Sequence, residues 1–449
     1  MACAHSSGKP PRAARFLINR RGPTGEIREM QHVVPGDVAW MLVSTVLVLL
    51  MTVPGLALFY AGMVRKKNVL AIMMQSFSLC AVMTVVWIVA GYSLAFTNGD
   101  AWIGDLSRFF LNGLGADWDK AFTLGAGTAN AQPTTIPESV FVMFQMAFAI
   151  ITPAVVTGSC ADRMKFSAML VFMTLWSLVI YAPVAHWVWH PNGWLASLGV
   201  ADFAGGTVVE INCGFTGLIC ALYLGRRLGY GHENMAPWNL SYAVIGASLL
   251  WIGWMGFNSG GAMGANARAG MAVLVTQVAA AGATLSWSFA EWFLRGKPSV
   301  LGAISGAVAG LVAITPAAGF VLPGPALAIG LLAGMVCFWS ATSLKTALGY
   351  DDSLDAFGVH GIGGIIGTLA TGWFAFGPLT ATAQEPAGVI VGGLHQVGIQ
   401  AVAVIATAAY VSGASWLVLK VTDLLVGVRV TREEEREGLD IVLHGEQVF

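Results

Sequence analysis

Charged residues are scarce in this 449-residue chain, in which Asp, Glu, Lys and Arg together make up only 10%. Soluble proteins carry about a quarter of charged residues, so this composition excludes an ordinary soluble globular protein. Apolar residues make up 56% of the chain, and they are collected in runs long enough to cross a bilayer as helices. The net charge is −1, so we expect no nucleic-acid partner.

Cysteine is also rare, and five of the six cysteines lie in or at the ends of apolar runs. Their spacing predicts no metal site, and we interpret them as small packing residues. The eight histidines include no HExxH spacing, and no nucleophile motif stands out, so we expect no cofactor and no enzymatic activity. Glycine is abundant instead, with 55 residues, which suits closely packed membrane helices.

Eleven apolar segments predict an all-α membrane protein with eleven transmembrane helices. We number them as spans one to eleven, at residues 39–62, 69–96, 138–160, 166–188, 206–224, 238–259, 270–293, 299–316, 324–346, 356–376 and 388–419. The chain therefore divides into a polar leader (1–37), a membrane domain (38–420) and a C-terminal tail (421–449).

The basic residues between the spans predict the orientation. Loops after odd-numbered spans contain Arg65, Lys66, Lys67, Arg163, Lys165, Arg226, Arg227, Arg295, Lys297 and Lys345. Loops after even-numbered spans contain only Arg108, Lys120 and Arg268. Because cytoplasmic loops carry the excess of Lys and Arg, we expect the N-terminus outside and the C-terminal tail in the cytoplasm.

The leader disagrees with this orientation, because its basic residues would have to cross the membrane. It has no apolar region of the kind that a signal peptide needs. Either the leader is translocated despite its charge, or translation starts at Met30, just before span one. We favour the second explanation as a hypothesis.

Two ionisable residues lie well inside predicted spans. Glu210 stands eight residues after Asp202, and His360 stands eight after Asp352. Eight helical residues rise about 12 Å, and the hydrocarbon core is about 30 Å thick. If each aspartate caps its helix at a membrane surface, Glu210 and His360 come near the midplane from opposite faces. Ionisable residues at that depth normally mark a transport or proton pathway.

The two stretches are related by a constant offset of 150 residues. At the same offset, Gly214 aligns with Gly364 and Gly217 aligns with Gly367 in the sequence. Spans five and ten run in opposite directions in the predicted topology. The pattern therefore predicts an inverted repeat of five plus five helices, followed by an eleventh. Transporters with this symmetry place their substrate sites at the repeat interface near the midplane.

Several motifs resemble one known family. They are PGLALFYAGMVRKKN from Pro54, DFAGGTVVE from Asp202, WIGWMGFNSGG from Trp251, FGVHG from Phe357, and EREGLD with HGE in the tail. Together they closely resemble the ammonium transporter family, the Amt/Mep branch of the Amt/Mep/Rh superfamily, from about Asp37 to the C-terminus. The resemblance implies a multi-pass protein of the cell (inner or plasma) membrane, in contact with lipid. It also implies a homotrimer with one pore per subunit that carries ammonium or ammonia inward, with methylammonium as an analogue.

By resemblance, five positions belong to an outer substrate site. Phe144 and Phe148 match the family's stacked phenylalanines, Trp189 matches the tryptophan of the recruitment site, and Asp202 matches the aspartate that supports it. Gly261 stands where the family has a serine that helps to ligate ammonium, so we expect one polar ligand fewer. On the residues alone, Trp189 could equally be an interfacial anchor, and Asp202 a helix N-cap.

Four further positions match the family's pore. Trp254 and Phe257 match pore-lining aromatics, and His360 matches the second of two paired histidines. Glu210 replaces the first of them, as in some fungal members. We expect Glu210 and His360 to titrate as one coupled unit, so that the ion is deprotonated, ammonia crosses the apolar pore and the proton moves separately through the pair.

The tail supplies the last matches, Gly438 and Asp440, which by resemblance couple subunits at the cytoplasmic face. The resemblance also implies a PII-type signal protein as a cytoplasmic regulator. The simpler alternative to a regulatory role is that this segment is a solvated tail. For the whole chain, two other functions remain open at this point: a neutral-gas channel for ammonia or carbon dioxide of the Rh type, and an ammonium sensor.

Overall fold

The computed structural model describes residues 32–380 and 391–448, and within them eleven helical units occupy the predicted spans. We number these units α1 to α11: Pro35–Met63, Lys66–Phe96, Glu138–Cys160, Phe166–Ser197, Gly206–Leu224, Leu240–Ala262, Ala267–Arg295, Val300–Ile314, Pro323–Leu348, 357–374 and Leu394–Val426. Nine are long and apolar enough to cross a membrane, and α8 and α10 fall outside that set. The fold is therefore an all-α membrane architecture, consistent with the predicted eleven helices.

Some predictions concern residues that lie outside the described ranges. The proposed start at Met30 and nearly all of the leader belong to residues 1–31, and the predicted start of span eleven belongs to residues 381–390. At its other end, α11 continues past the predicted boundary at residue 420, and it stops at Gly427, whose φ of 68° takes it out of the helix. The tail therefore begins later than the sequence predicts.

The helices α5 and α10 cross with their chains running in opposite directions. Thus Gly214 of α5 faces Gly361, where a Cβ on Gly214 would lie only 2.2 Å from the Gly361 nitrogen, and the earlier Gly206 faces Gly364. As residue numbers rise along α5, those of the facing α10 residues fall. Only glycine allows the backbones to approach this closely.

The glycines one turn further along each helix extend the repeat. A Cβ on Gly217 of α5 would lie 2.4 Å from the Oγ of Ser159 in α3, and a Cβ on Gly367 of α10 would lie 2.1 Å from the carbonyl oxygen of Ala313 in α8. Helix α5 therefore packs on α3 as α10 packs on α8, five helices later. This correspondence is what an inverted five-plus-five repeat requires.

Both repeat helices begin with a wide, π-helical turn, at Gly206–Ile211 in α5 and at Phe357–Gly361 in α10. Such turns are rare and often mark functional sites, because they redirect side chains relative to a regular helix. Glu210 and His360 lie in these two turns. The local backbone, and not only the sequence offset, is therefore repeated at the ionisable residues.

The loops divide into two sets, one at each end of the helices. At one end, the carboxylate of Asp162, which follows α3, forms two ion pairs. Its partners are Arg65 of the α1–α2 loop, at 3.0 Å, and Arg227 of the α5–α6 loop, at 3.5 Å. Arg227 also pairs with Asp351, after α9, at 2.8 Å. At the other end, Asp37 accepts hydrogen bonds from the α2–α3 and α6–α7 loops.

Two short antiparallel strands, β1 (Ala121–Leu124) and β2 (Gln132–Pro137), lie in the long α2–α3 loop. Two short tail helices, α12 (Arg432–Glu437) and α13 (Leu439–His444), follow α11 at the end of the molecule where the loops after α1, α3, α5 and α9 meet. The loops after α1, α3, α5 and α9 and the tail therefore share one side of the protein, as the predicted topology requires.

Candidate functional site

An aromatic pocket lies at the end of the molecule opposite the tail. Trp189, half-buried at the last helical turn before the His190 bend, contacts Phe148 edge to face, with ring centroids 5.6 Å apart. Its indole Nε1 donates a hydrogen bond of 3.1 Å to the carbonyl oxygen of Asp202. This bond and the contact with Phe148 fix the orientation of the indole.

The ring that lies against the face of Phe148 is Phe257, at 4.3 Å between centroids and 36° between planes. The resemblance assigned the stacked pair to Phe144 and Phe148, and the geometry corrects this. Those two rings meet edge to face, at 4.9 Å and 68°, because they project from successive turns of the same helix. Phe148 and Phe257 are each only 1% exposed, and together they lie between Trp189, which contacts Phe148, and the cavity that Phe257 lines.

The carboxylate of Asp202 makes its hydrogen bonds to groups within the protein. It accepts backbone hydrogen bonds from Gly205, Gly206 and Thr207 at 2.6–2.8 Å, and another from the hydroxyl of Thr207. These amides begin α5, so Asp202 caps that helix and holds Glu210 in place. The structural interpretation of Asp202 therefore accounts for the contacts of its carboxylate, and its backbone carbonyl holds Trp189.

Gly261, where the family has a serine, lies against Phe203. A Cβ built on Gly261 would lie 2.6 Å from the carbonyl oxygen of Phe203 and 3.1 Å from its ring. Phe203 is in turn fixed by the guanidinium of Arg268, whose carbon lies 5.0 Å from the ring centroid. Phe203 was not among the predicted site residues, and its place directly after Asp202 was the signal that could have identified it.

Behind the two phenylalanines lies a narrow cavity whose space for the centre of a water-sized molecule is about 10 Å³, about what one water needs. Trp254 lines it, with its Nε1 donating to the Thr315 hydroxyl at 2.8 Å. Only two of the lining residues are ionisable, Glu210 and His360. The other lining residues are Met51, Leu56, Phe59, Ile151, Val155, Val209, Leu250, Trp254, Phe257 and Val308.

Glu210 and His360 meet directly at this cavity. The Nδ1 of His360 lies 2.7 Å from Oε2 of Glu210, and the side chains are 9% and 1% exposed, respectively. The sequence argument that spans five and ten deliver them to one another is thus confirmed. A carboxylate and an imidazole at this distance form a close, buried hydrogen-bonded pair.

Cys213, treated above as a packing residue, lies beside this pair. Donor atoms of Glu210, Cys213 and His360 lie within 4.8 Å of one another. The sequence signal was the i to i+3 spacing of Glu210 and Cys213 on one helix, which places both side chains on the same face.

The tail is docked against the protein rather than solvated. Asp440 accepts a hydrogen bond of 2.8 Å from the backbone nitrogen of Ala71, near the start of α2. Lys67 donates to the backbone carbonyl of Glu435 at 2.8 Å. Gly438 has φ of 116°, and a Cβ there would lie 2.6 Å from the Cβ of Lys67. Gly438 and Asp440 therefore hold the tail on the first turns of α2 in their own chain.

The comparisons with known proteins agree on one family. The profile described as "Ammonium Transporter Family" matches residues 39–449. The ammonium transporter of Bacillus subtilis (strain 168) is 45% identical over 414 residues, covering 92% of this chain and 98% of its own length. That of Aquifex aeolicus (strain VF5) is 46% identical over 415 residues, covering 92% and 93%.

Solved structures show the same similarity in three dimensions. Saccharomyces cerevisiae Mep2 superposes with a TM-score of 0.80 at 35% identity, covering 92% of this chain and 93% of its own. A structure described as a sensor Amt protein superposes with a TM-score of 0.81 at 29% identity, covering 91% and 98%. Both similarities extend over nearly the whole membrane architecture.

Proposed function

This chain belongs to the ammonium transporter family and is an ammonium transporter, and we propose that it binds the ion outside, removes a proton and conducts ammonia and the proton by separate routes. The observation that carries this proposal is the contact between Glu210 and His360 at the end of an apolar cavity closed by Phe148 and Phe257. An apolar route excludes a charged ion, and the buried pair provides a place for its proton.

Binding begins at Trp189 and Phe148. An aromatic face attracts a desolvated cation by up to about 2 kcal/mol, and the charge of Asp202 beneath the pocket adds to the attraction for a cation. Because a side chain at Gly261 would meet Phe203, the site gains a ring and a carbonyl where the family serine would offer a hydroxyl. The expected consequence is a site with more aromatic and less hydroxyl character.

The phenylalanine pair then selects the neutral species. Phe148 and Phe257 are packed at 4.3 Å and must separate for any molecule to pass. The cavity behind them has room for about one water-sized molecule, and its walls offer a charged ion almost no hydrogen-bonding groups to replace its hydration. The free-energy cost of transferring an unsolvated charge into this cavity is large, whereas the cost for neutral ammonia is much smaller.

The proton left behind enters the Glu210–His360 pair. Glu210 and His360 are in direct contact at 2.7 Å, so a proton can pass between them without a rearrangement of the helices. Transport is then electrogenic, because the charge of each ammonium ion crosses the membrane even though the ion does not.

The test is current measurement on proteoliposomes that contain the purified protein. An ammonium pulse should evoke a current, and a methylammonium pulse a smaller one, both disappearing with empty liposomes. Uptake of ammonia without any current would refute the separate proton route and support the neutral-gas alternative.

We further infer that α1 starts outside and that the tail lies in the cytoplasm of a cell (inner or plasma) membrane, since the basic loops share the tail's side. A homotrimer with one pore per subunit, and a PII-type protein at the cytoplasmic face, remain predictions from the family resemblance. Crosslinking in native membranes tests the first, and pull-down with a purified PII protein tests the second.

A sensor function is the second candidate, because one of the similar structures is described as a sensor Amt protein. The docked tail is the element that would report occupancy. Ammonium-evoked currents equal to those of empty liposomes, together with an ammonium-dependent change in the proteolysis of the tail, would favour the sensor over the transporter.

A further inference from the structure

Three side chains that are typical zinc ligands lie together at and beside the cavity, two of them (Glu210 and His360) in its wall. Glu210, Cys213 and His360 each offer one donor atom, and these atoms lie within 4.8 Å of one another. All three residues are buried, with exposed fractions of 1%, 0% and 7%. We propose that this cluster is a binding site for a thiophilic divalent cation such as Zn²⁺ or Cd²⁺, which blocks the pore when bound.

The geometry requires only small movements. In a tetrahedral zinc site with ligand distances of about 2.0–2.3 Å, the donor atoms lie about 3.4–3.7 Å apart. The donor atoms that are furthest apart, at most 4.8 Å, close in by about 1 Å, whereas Nδ1 of His360 and Oε2 of Glu210, now 2.7 Å apart, move apart by slightly less. The present partner of the Cys213 thiol is the carbonyl oxygen of Glu210 at 3.4 Å, a weak bond within one helical turn that the thiol can give up.

The charges of the ligands match those of the cation. One carboxylate, one thiolate and one neutral imidazole carry a total charge of −2, so a bound divalent cation gives a neutral site. This matters in the membrane interior, where a net charge is costly. Cys213 binds the cation as the thiolate, and its thiol proton leaves to solvent.

The donor set also determines which cations are excluded. Mg²⁺ and Ca²⁺ require six or more oxygen ligands, and this cluster offers only one carboxylate. Zinc is held by combinations of thiolate, imidazole and carboxylate, and a site with three protein ligands leaves a fourth position open. Here Glu210 and His360 border the cavity, so the open position can hold one water or one ammonia.

Occupancy and conduction exclude one another in this arrangement. The cation would bind the same carboxylate and imidazole that hold the proton in the proposed function, on which this part of the inference rests. Binding itself does not depend on that function, and it can be measured on purified protein that is not transporting.

The first experiment titrates the purified full chain with Cd²⁺ and follows the ultraviolet thiolate-to-cadmium charge-transfer band. Wild type should bind one Cd²⁺ per chain with this band, and Cys213→Ala and Cys213→Ser should lose it. The matched control is Cys220→Ala, a buried cysteine two turns further along α5 and outside the cluster, which should keep the band. An equal band in Cys213→Ala, or none in wild type, overturns the site.

The second experiment measures ammonium uptake by proteoliposomes with increasing Zn²⁺, each variant being compared with its own uptake without metal. The half-inhibitory concentration should rise at least tenfold in Cys213→Ala and stay within twofold of wild type in Cys220→Ala. Equal inhibition of both variants would refute the block. Wild type that binds Cd²⁺ but takes up no ammonium would refute the proposed function and leave the metal site standing.

Discussion

The Nδ1 of His360 lies 2.7 Å from the Oε2 of Glu210 across the crossing of α5 and α10. The carboxylate replaces what is a second imidazole in the family pattern, so the pair carries one more negative charge when both groups have lost their protons. A bound proton is therefore held between unlike groups. The proton affinity of this pair should depend strongly on which residue occupies position 210.

Replacing Glu210 by glutamine should abolish the proton route. Glutamine has nearly the same shape and can still hydrogen-bond to His360, but it cannot accept a proton. We expect the ammonium-evoked current to fall by about 10²-fold or more, the usual contribution of a positioned acid or base. Glu210→His, which restores two imidazoles, should keep the current and change its pH dependence. Wild-type current in Glu210→Gln would contradict the relay.

Replacing Trp189 by leucine should weaken recruitment of the ion. The leucine keeps apolar packing against Phe148 but removes the π face, which contributes about 2 kcal/mol, so the half-saturating ammonium concentration should rise about 10- to 30-fold. Trp102→Leu is the control, since Trp102 lies in the α2–α3 loop and is 55% exposed. The same half-saturating concentration in both variants would show that Trp189 is only an interfacial anchor.

Substitutions at Gly261 can separate crowding from hydrogen bonding. A methyl group in Gly261→Ala would displace Phe203, whose carbonyl oxygen would lie 2.6 Å from it, so we expect a higher half-saturating ammonium concentration. Gly261→Ser causes the same displacement but adds the family hydroxyl, so it should bind ammonium more tightly than the alanine variant. Identical concentrations for both variants would exclude a role for a hydroxyl at this position.

Removing the carboxylate of Asp440 should loosen the tail. Asp440→Ala leaves the backbone nitrogen of Ala71 without its hydrogen bond, and loss of such a helix-start acceptor costs about 1 kcal/mol. Limited trypsin digestion within the tail should then be several times faster. Glu437→Ala, at an exposed position of the same tail, is the control, and equal digestion rates for both variants would argue against docking through Asp440.

Arg227 should stabilise the end of the protein that carries the tail. Arg227→Ala leaves the buried carboxylates of Asp162 and Asp351 without their shared partner, which typically costs about 3–5 kcal/mol. The melting temperature in detergent should fall clearly, whereas the exposed Lys66→Ala should not change it. A wild-type melting temperature in Arg227→Ala would show that other groups satisfy both carboxylates.

The same contact predicts a dependence on pH. Burial alone would raise the pKa of Asp351, but its hydrogen bonds and charge pairing with Arg227 outweigh burial and hold that pKa below its ordinary value. The stabilisation is therefore present above the ordinary carboxyl pKa and is lost as pH falls through the lowered value. The difference in melting temperature between wild type and Arg227→Ala should be large at neutral pH and disappear in acid.

The membrane helices could be predicted from the sequence because the bilayer imposes a length on apolar runs. Spans three and five were predicted at the residues where α3 and α5 begin and end. The meeting of Glu210 and His360 was also predictable, since an internal repeat fixes the relation between two distant stretches. Both inferences rest on periodic or repeated patterns that do not depend on detailed packing.

Side-chain packing between distant segments could not be predicted in this way. The face-on partner of Phe148 is Phe257, far along the chain, and the ring that fills the space beside Gly261 belongs to Phe203. No periodicity relates these residues. The docking of Asp440 on α2 is likewise a contact between the two ends of the described chain, which local sequence rules do not reach.

At the crossing of α5 and α10, Gly214 meets the backbone of Gly361 directly. No side chain therefore lies between the two helices at this point, where a substitution could change their separation. Homologous proteins therefore have little freedom to change the distance between the side chains at positions 210 and 360 by small shifts of the two helices. Diversification of the pore's acid–base chemistry should therefore proceed by exchanging whole functional groups at those two positions, with the spacing inherited unchanged.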